Sequence, residues 1–441
     1  MNILFVSLGC DKNLVDSEVM LGLLAQKGHQ MVDSEELADV IVVNTCCFIN
    51  DAKEESIQTI LEMAEYKKSG LIKALIVTGC LAQRYKQEIL DEIEEVDAVL
   101  GTTSYDKIVE VIDEALQGKK TLQMTDIDAL PTVESKRLVT TGGHFAYLKI
   151  AEGCDKHCTY CIIPKIRGNF RSVPMERLIQ EAKELVDQGV KEIILVAQET
   201  TLYGKDIYGE KSLHVLLKEL CKIGGLRWIR ILYCYPEEIT DELIQVIKEE
   251  DKICNYLDIP IQHASDAVLK RMGRRTSKQQ LIDIVQKLRE EIPGIALRTT
   301  LITGFPGETQ EQHEELYEFV DEIEFDRLGV FTYSPEEDTP AATMPDQIEE
   351  SVKEDRQAEL MELQQEIAFD LAERMIGIEV IVMFEGKVAD ENVYVGRTYM
   401  DAPNVDGLIF VETNEELMSG DFAKVRITGA LEYDLIGELI S

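Results

Sequence analysis

The chain lacks any apolar run approaching the roughly 18 residues needed to cross a bilayer, and the apolar stretch around Val40–Val43 is broken by Asn44. It lacks a charged-then-apolar leader, because Met1-Asn-Ile-Leu-Phe-Val-Ser leads directly into a first strand. Basic side chains are scarce. Lys and Arg number 45 against 83 Asp and Glu, a formal charge of −38. An acidic surface repels phosphate backbones, so free nucleic acid is a poor default partner and a basic protein a better one; solubility alone is the plainer reading. Ten cysteines, no leader and metal-like spacing imply reduced thiols and a cytoplasmic protein. At 441 residues the chain should form two to three domains of roughly 100–200 residues each.

Chemistry is written most plainly in the run A-E-G-C-D-K-H-C-T-Y-C, which carries Cys154, Cys158 and Cys161 just after the strand-like stretch Phe145–Ile150. Three thiolates at this C-x3-C-x2-C spacing hold three irons of a cubane cluster and leave the fourth iron open. Ligation by four cysteines suits electron transfer, whereas an open position suits chemistry on a bound small molecule. A structural zinc site with His157 as fourth ligand is the alternative. His157 directly precedes Cys158, which makes one tetrahedron around all four awkward, and no second C-x2-C knuckle follows.

From residue 1 to about 130, short β-rich runs alternate with charged helical stretches, the pattern of βαβ units on a parallel sheet. Three runs end alike: Ile3 to Gly9 at Cys10, Val40 to Thr45 at Cys46, and Ala74 to Gly79 at Cys80. The cysteines lie 36 and 34 residues apart, about one βαβ repeat each. Parallel strands bring their carboxyl ends to one edge, where sites in open α/β sheets form. Cys10, Cys46 and Cys80 are therefore expected to converge as a second cluster-ligand set, with buried small hydrophobes as the alternative.

Residues 118–139 have weak periodicity and read as a linker between an N-terminal domain (1–117) and a central one (140–372). The central domain holds six strand-like runs: Phe145–Ile150, Glu192–Gln198, Trp228–Cys234, Tyr256–Gln262, Ala296–Gly304 and Arg327–Tyr333. Amphipathic segments intervene, such as Met175–Gln188 with Leu178, Ala182, Leu185 and Val186 on one face. This alternation predicts a parallel βα barrel, complete or partial, with its chemistry in loops at the strands' carboxyl ends. Residues 346–376 read as a bridging helix. From 373 to 441 five alternating runs punctuated by Gly386, Pro403, Gly407 and Gly420 predict a small five-stranded antiparallel barrel. Such barrels commonly bind RNA, yet residues 376–441 carry 13 acidic and 4 basic side chains, a net of −9. An RNA-binding face should be basic.

Taken end to end, the chain resembles the methylthiotransferases of the radical S-adenosylmethionine (SAM) superfamily. Cys154, Cys158, Tyr160 and Cys161 match its radical SAM signature. The stretches Ser7–Glu18, Asn44–Ser56, Thr78–Tyr85, Ala197–Thr200, Asp258–Asp266 and Phe325–Ser334 resemble the RimO branch rather than the tRNA-modifying branch. The resemblance implies an N-terminal methylthiotransferase domain, a partial (βα)6 radical SAM core and a C-terminal TRAM barrel. It also implies a reaction that replaces the β-carbon C–H of an aspartate in small-subunit ribosomal protein S-twelve by C–S–CH3. That carbon has no useful acidity beside an ionised carboxylate, so a radical is the workable route. Two 4Fe-4S clusters are implied. The one on Cys154, Cys158 and Cys161 binds SAM for radical generation, and the one on Cys10, Cys46 and Cys80 carries the sulfur, methylated by a second SAM. Further SAM contacts are expected from Tyr160, Gln198, Glu199, Thr200, Gly304 and Glu308. Lys149, Arg167 and Arg298 near strand ends are candidates to hold the substrate carboxylate, or else solvated charges. An electron donor such as flavodoxin or ferredoxin is implied, with no membrane and no direct nucleic-acid substrate. Modification of a tRNA adenosine by the same mechanism is the alternative. Asp401, Asp406, Glu415 and Glu416 are candidates for an acidic partner-binding face. Cys47, Cys221, Cys234 and Cys254 have no cluster spacing and are expected to pack in cores.

Overall fold

The computed structural model describes residues 1–131 and 137–440, so the middle of the expected 118–139 linker lies outside the described residues. Two compact units form. One gathers Met1–Thr140, Lys149–Val173 and Ser334–Ala342; the other gathers Thr141–Leu148, Pro174–Tyr333 and Thr343–Ser441. Both cysteine triads fall in the first.

The first unit is built on β1 (Asn2–Ser7), β2 (Gln30–Val32), β3 (Val40–Thr45), β4 (Ala74–Gly79), β5 (Ala98–Leu100) and β6 (Thr121–Gln123). They pair in parallel in the order β2-β1-β3-β4-β5-β6. Central strands β3 and β4 are buried throughout, as expected of a parallel sheet covered on both faces. Alternation divides their side chains. Ile41, Val43, Leu75 and Val77 enter one apolar cluster, and Val40, Val42, Ala74 and Ile76 the opposite one. β6 draws residues 121–123 of the expected linker into this sheet.

Strand β7 (Phe145–Lys149) leads to a short antiparallel ribbon of β8 (Ala151–Glu152) and β9 (Arg171–Ser172). This ribbon closes the base of the Cys154–Cys161 loop. The helix that follows the loop, Ile163–Arg167, packs on the first unit through Ile162 and Ile166.

In the second unit β7 borders β10 (Glu192–Val196), followed by β11 (Trp228–Ile231), β12 (Ile253–Asp258), β13 (Ala296–Thr303) and β14 (Arg327–Thr332). Pairing from β10 to β14 is parallel. Helices Met175–Asp187, Leu213–Cys221, Asp241–Glu249, Lys278–Glu291 and Gln310–Ile323 make the crossovers. The sheet is open, the partial form of the expected barrel. Two strands stop earlier than their apolar runs. Tyr233 (φ +60) follows β11, and Gln262 (φ +73) follows β12 and Pro260, so neither run stays extended.

The helix Glu350–Arg374 leads into β15 (Glu379–Lys387), β16 (Val393–Arg397), β17 (Ile409–Glu412), β18 (Phe422–Ala430) and β19 (Leu435–Leu439). These close a barrel in the order β15-β16-β17-β19-β18. Its ladders are antiparallel except β17–β19, which is parallel.

Buried ion pairs fasten this barrel to the open sheet. Glu192 of β10 accepts from Arg230 at 2.8 Å and from Arg397 at 2.6 Å, and all three side chains are fully buried. Asp406 accepts from Tyr256 at 2.7 Å and pairs with Arg298 at 3.3 Å; Asp401 accepts from Arg327. Asp401 and Asp406 therefore correct the sequence reading of an acidic outer face, because they are buried counter-charges to arginines of β13 and β14. Glu415 and Glu416 are exposed, as that reading requires. Among the described residues no helix is long and apolar enough to cross a membrane.

Candidate functional site

Cys10, Cys46 and Cys80 stand immediately beyond β1, β3 and β4 on the carboxyl edge of the first sheet. Two glycines let the turns close. At Gly9 (φ +87) an added Cβ would lie 2.7 Å from the Cys46 Cβ and 3.0 Å from its Sγ. At Gly79 (φ +91) it would lie 2.3 Å from the Asn44 Oδ1, so the chain passes directly from β4 into the helix beginning at Cys80. Asn13 cross-links two of these loops: its Nδ2 donates to the carbonyls of Leu8 (2.8 Å) and Thr45 (3.0 Å). The Cys46 amide donates to Ser56 Oγ at 2.9 Å.

Electrostatics carry the same imprint. Burial pushes the Cys80 thiol up, the Arg167 guanidinium pulls it back, and Cys47, Cys46 and Cys10 push it further up. Burial also raises Cys46. The three thiols thus share one field.

The second triad is shaped by backbone. Gly153 (φ +79) has no room for a Cβ, which would lie 2.1 Å from the Asn169 carbonyl. The Cys154 amide donates to the Gly168 carbonyl at 3.1 Å, and the Cys161 amide to the Cys158 carbonyl at 3.0 Å. His157 adopts a left-handed φ of +53 and is exposed, whereas Cys154 and Cys158 are buried. Burial, then Cys158 and Cys154, push the Cys161 thiol up.

Among the described residues, no three His, Cys, Asp or Glu side chains converge on a point suited to one metal ion. In a cubane each thiolate takes a separate iron, whereas one zinc ion takes all its ligands itself. Two three-cysteine sets, one on three strand-end turns that include left-handed Gly9 and Gly79 and one on a single loop entered through left-handed Gly153, fit two cubane clusters with one iron of each unclaimed by cysteine.

The remaining predicted contacts divide. Tyr160 and Gln198 are half-buried. Glu199 is buried and accepts from the Thr201 amide at 2.9 Å, while Thr200 donates to the Leu232 carbonyl at 2.7 Å. At Gly304 (φ +70) a Cβ would lie 2.2 Å from Lys353 Cγ. Glu308 is buried, accepting from the Phe305 amide (3.1 Å) and Arg356 (3.0 Å), with burial raising its pKa. Glu199 thus steadies its own turn, Thr200 ties its loop to the one after β11, and Glu308 ties its loop to the helix Glu350–Arg374.

Lys149, Arg167 and Arg298 are neither solvated nor unpaired. Lys149 pairs with Asp16 and, at 2.7 Å, with Glu152. Arg167 pairs with Asp16 (2.7 Å) and Glu152 (3.3 Å) and donates to Asn13 Oδ1 at 2.8 Å. Arg298 pairs with Asp258 at 3.0 Å. Asn13, Asp16 and Glu152 went unnoticed in the sequence reading. Their signal was Asn13 and Asp16, three residues apart on one helix face just after Cys10. Of the other cysteines, Cys47, Cys234 and Cys254 are buried and Cys221 is half-buried, all without a place in either triad. Burial pushes the Cys47 thiol up to about 12.

Three family descriptions match: "Uncharacterized protein family UPF0004" over residues 2–101, "Radical SAM superfamily" over 148–320 and "TRAM domain" over 376–440. A "Ribosomal protein uS12 methylthiotransferase RimO" from Lachnoclostridium phytofermentans is 67% identical over 99% of this chain and 99% of its own. A protein of the same name from Clostridioides difficile is 50% identical over 98% of each. Among solved structures, the radical SAM methyltransferase TsrM from Kitasatospora setae, with cobalamin and a 4Fe-4S cluster bound, shares the fold. Its TM-score is 0.55 at 14% identity, covering 88% of this chain and 81% of that one.

Proposed function

The chain belongs to the RimO family of ribosomal protein uS12 methylthiotransferases, and on that premise we propose that it converts an aspartate β-carbon C–H of that ribosomal protein to C–S–CH3. The observation that carries this reading is the presence of two separate three-cysteine sets in one compact unit. When bound, the two 4Fe-4S clusters and SAM supply the one-electron chemistry, the sulfur and the methyl group.

The chain's own residues do the rest. Cys154, Cys158 and Cys161 hold the radical-generating cluster, and Cys10, Cys46 and Cys80 hold the one that carries sulfur. Tyr160 and Gln198, both half-buried, are candidates to contact SAM. Glu199, Thr200, Gly304 and Glu308 of the second unit are further candidates for SAM contact. Acidic side chains such as Glu415 and Glu416 favour a basic protein partner over tRNA. A one-electron donor such as flavodoxin or ferredoxin supplies the reducing equivalents, and the reaction needs no membrane.

The test uses anaerobically reconstituted protein with SAM, a low-potential reductant and a sulfide source. The isolated ribosomal protein or tRNA is the substrate, read by mass spectrometry. A gain of CH2S on an aspartate of the protein is expected. Modification of tRNA alone would overturn the proposal.

A further inference from the structure

We propose that Arg167 is a positioning residue for the sulfur-carrying centre: through Asn13 it places the Cys10 and Cys46 loops, and its charge sets the reduction potential of the cluster held there. The inference rests on the ligand assignment above.

Geometry places Arg167 between the triads. The residue lies six positions beyond Cys161, and the carbonyl of its neighbour Gly168 receives the Cys154 amide. Its side chain reaches the other triad. One end of the guanidinium donates to Asn13 Oδ1 at 2.8 Å. Asn13 in turn donates to the carbonyl of Leu8, two residues before Cys10, and to that of Thr45, which precedes Cys46. The other end donates to Asp16 at 2.7 Å. One residue of the second loop therefore clamps two cysteine loops of the first.

Charge supplies the second half. Arg167, Lys149, Asp16 and Glu152 form a buried quartet in which each cation touches both carboxylates. The quartet is neutral as a whole, so removing one member leaves a net buried charge, and buried charges are poorly screened. The guanidinium is one hydrogen bond from Asn13, which holds the carbonyls of Leu8 and Thr45 beside Cys10 and Cys46, so its charge sits against that centre's own loops. Reduction adds an electron to a cluster. A missing positive charge beside it disfavours that step, and a missing negative charge favours it.

The test is an EPR-monitored redox titration of the reconstituted full chain, with iron content measured on each sample. The sulfur-carrying cluster is read in a Cys154, Cys158 and Cys161 to Ala background, and the other in a Cys10, Cys46 and Cys80 to Ala background. Asp16→Asn should favour reduction of the sulfur-carrying cluster about tenfold, about 59 mV upward for a one-electron couple. Arg167→Met should shift it by a similar factor downward, and Arg167→Lys should restore it to within about threefold, since the point charge survives although the fork is lost. The Cys154–Cys161 cluster should move by less than about threefold in each. Should Arg167→Met fail to fold, the upward shift in Asp16→Asn decides alone. Unmoved potentials at full iron content, or equal shifts at both clusters, overturn the inference. Only one cluster's worth of iron in the unsubstituted chain overturns the ligand assignment itself, and the inference with it.

Discussion

Replacing Glu192 by Gln should loosen the second unit more than most single changes do. The carboxylate is fully buried between Arg230 at 2.8 Å and Arg397 at 2.6 Å. Without it, Arg397 keeps Glu385 at 2.6 Å, but Arg230 keeps only the carbonyls of Tyr399 (2.6 Å) and Thr398 (3.4 Å). Removing one partner of a buried ion pair costs about 3–5 kcal/mol, because the other charge stays buried. With a urea slope of about 3 kcal/mol/M, the midpoint should fall by about 1 M or more. The sole tryptophan, Trp228, reports the event, since its ring meets Phe422 of the C-terminal barrel edge-on at 4.9 Å. Burial alone would raise the Glu192 pKa, but Arg397 and Arg230 outweigh it and hold the carboxyl below the usual glutamate value. Its ionised form therefore stabilises the fold above the unfolded value, and that contribution is lost as pH falls through the lower folded value. The gap between native and Glu192→Gln midpoints should narrow on acidification below about 4.5. A midpoint within about 0.3 M of native, with a gap indifferent to pH, would refute the reasoning.

Four further outcomes follow from the two triads and the acidic residues. Reconstituted protein should bind about eight irons, and changing Cys154, Cys158 and Cys161 together to Ala should remove about half, measured by iron analysis; full retention would sink the assignment. Changing Cys10, Cys46 and Cys80 to Ala should leave reductive SAM cleavage intact, assayed by chromatography, and abolish methylthio transfer. Charge reversal of Glu415 and Glu416 to Lys should slow association with the ribosomal protein and flatten its salt dependence without lowering thermal stability. Asp406→Lys should instead destabilise the fold by several kcal/mol, because it sets a cation against Arg298.

Local signals in the sequence were good guides, and distant pairings were not. The cysteine-ended runs of β3 and β4 announced themselves because residues buried on both faces of a parallel sheet leave a continuous apolar signature, and β1, buried only at Ile3 and Leu4, repeats it in part. The C-terminal strands were legible from alternation. Strands β2, β5 and β6 are three residues long, too short to show a period. Asp401 and Asp406 look like surface acids in composition, and only the fold brings Arg327 and Arg298 to them across 74 and 108 positions. The partner of Lys149 and Arg167 was hidden for the same reason, since Asp16 lies far upstream. The run from Cys154 to Cys161 stands out because its three cysteines lie close together in sequence. Arg167, which reaches Asn13 across 154 positions, carries no such local signal.

Comparing ribosomal proteins and tRNA, by mass spectrometry, from cells with and without this chain decides which substrate is modified. One methylthio group should disappear from an aspartate of the ribosomal protein and return with the native gene. It should not return with a copy lacking Cys154, Cys158 and Cys161. Loss of a methylthio group from tRNA with the ribosomal protein unchanged would contradict that prediction.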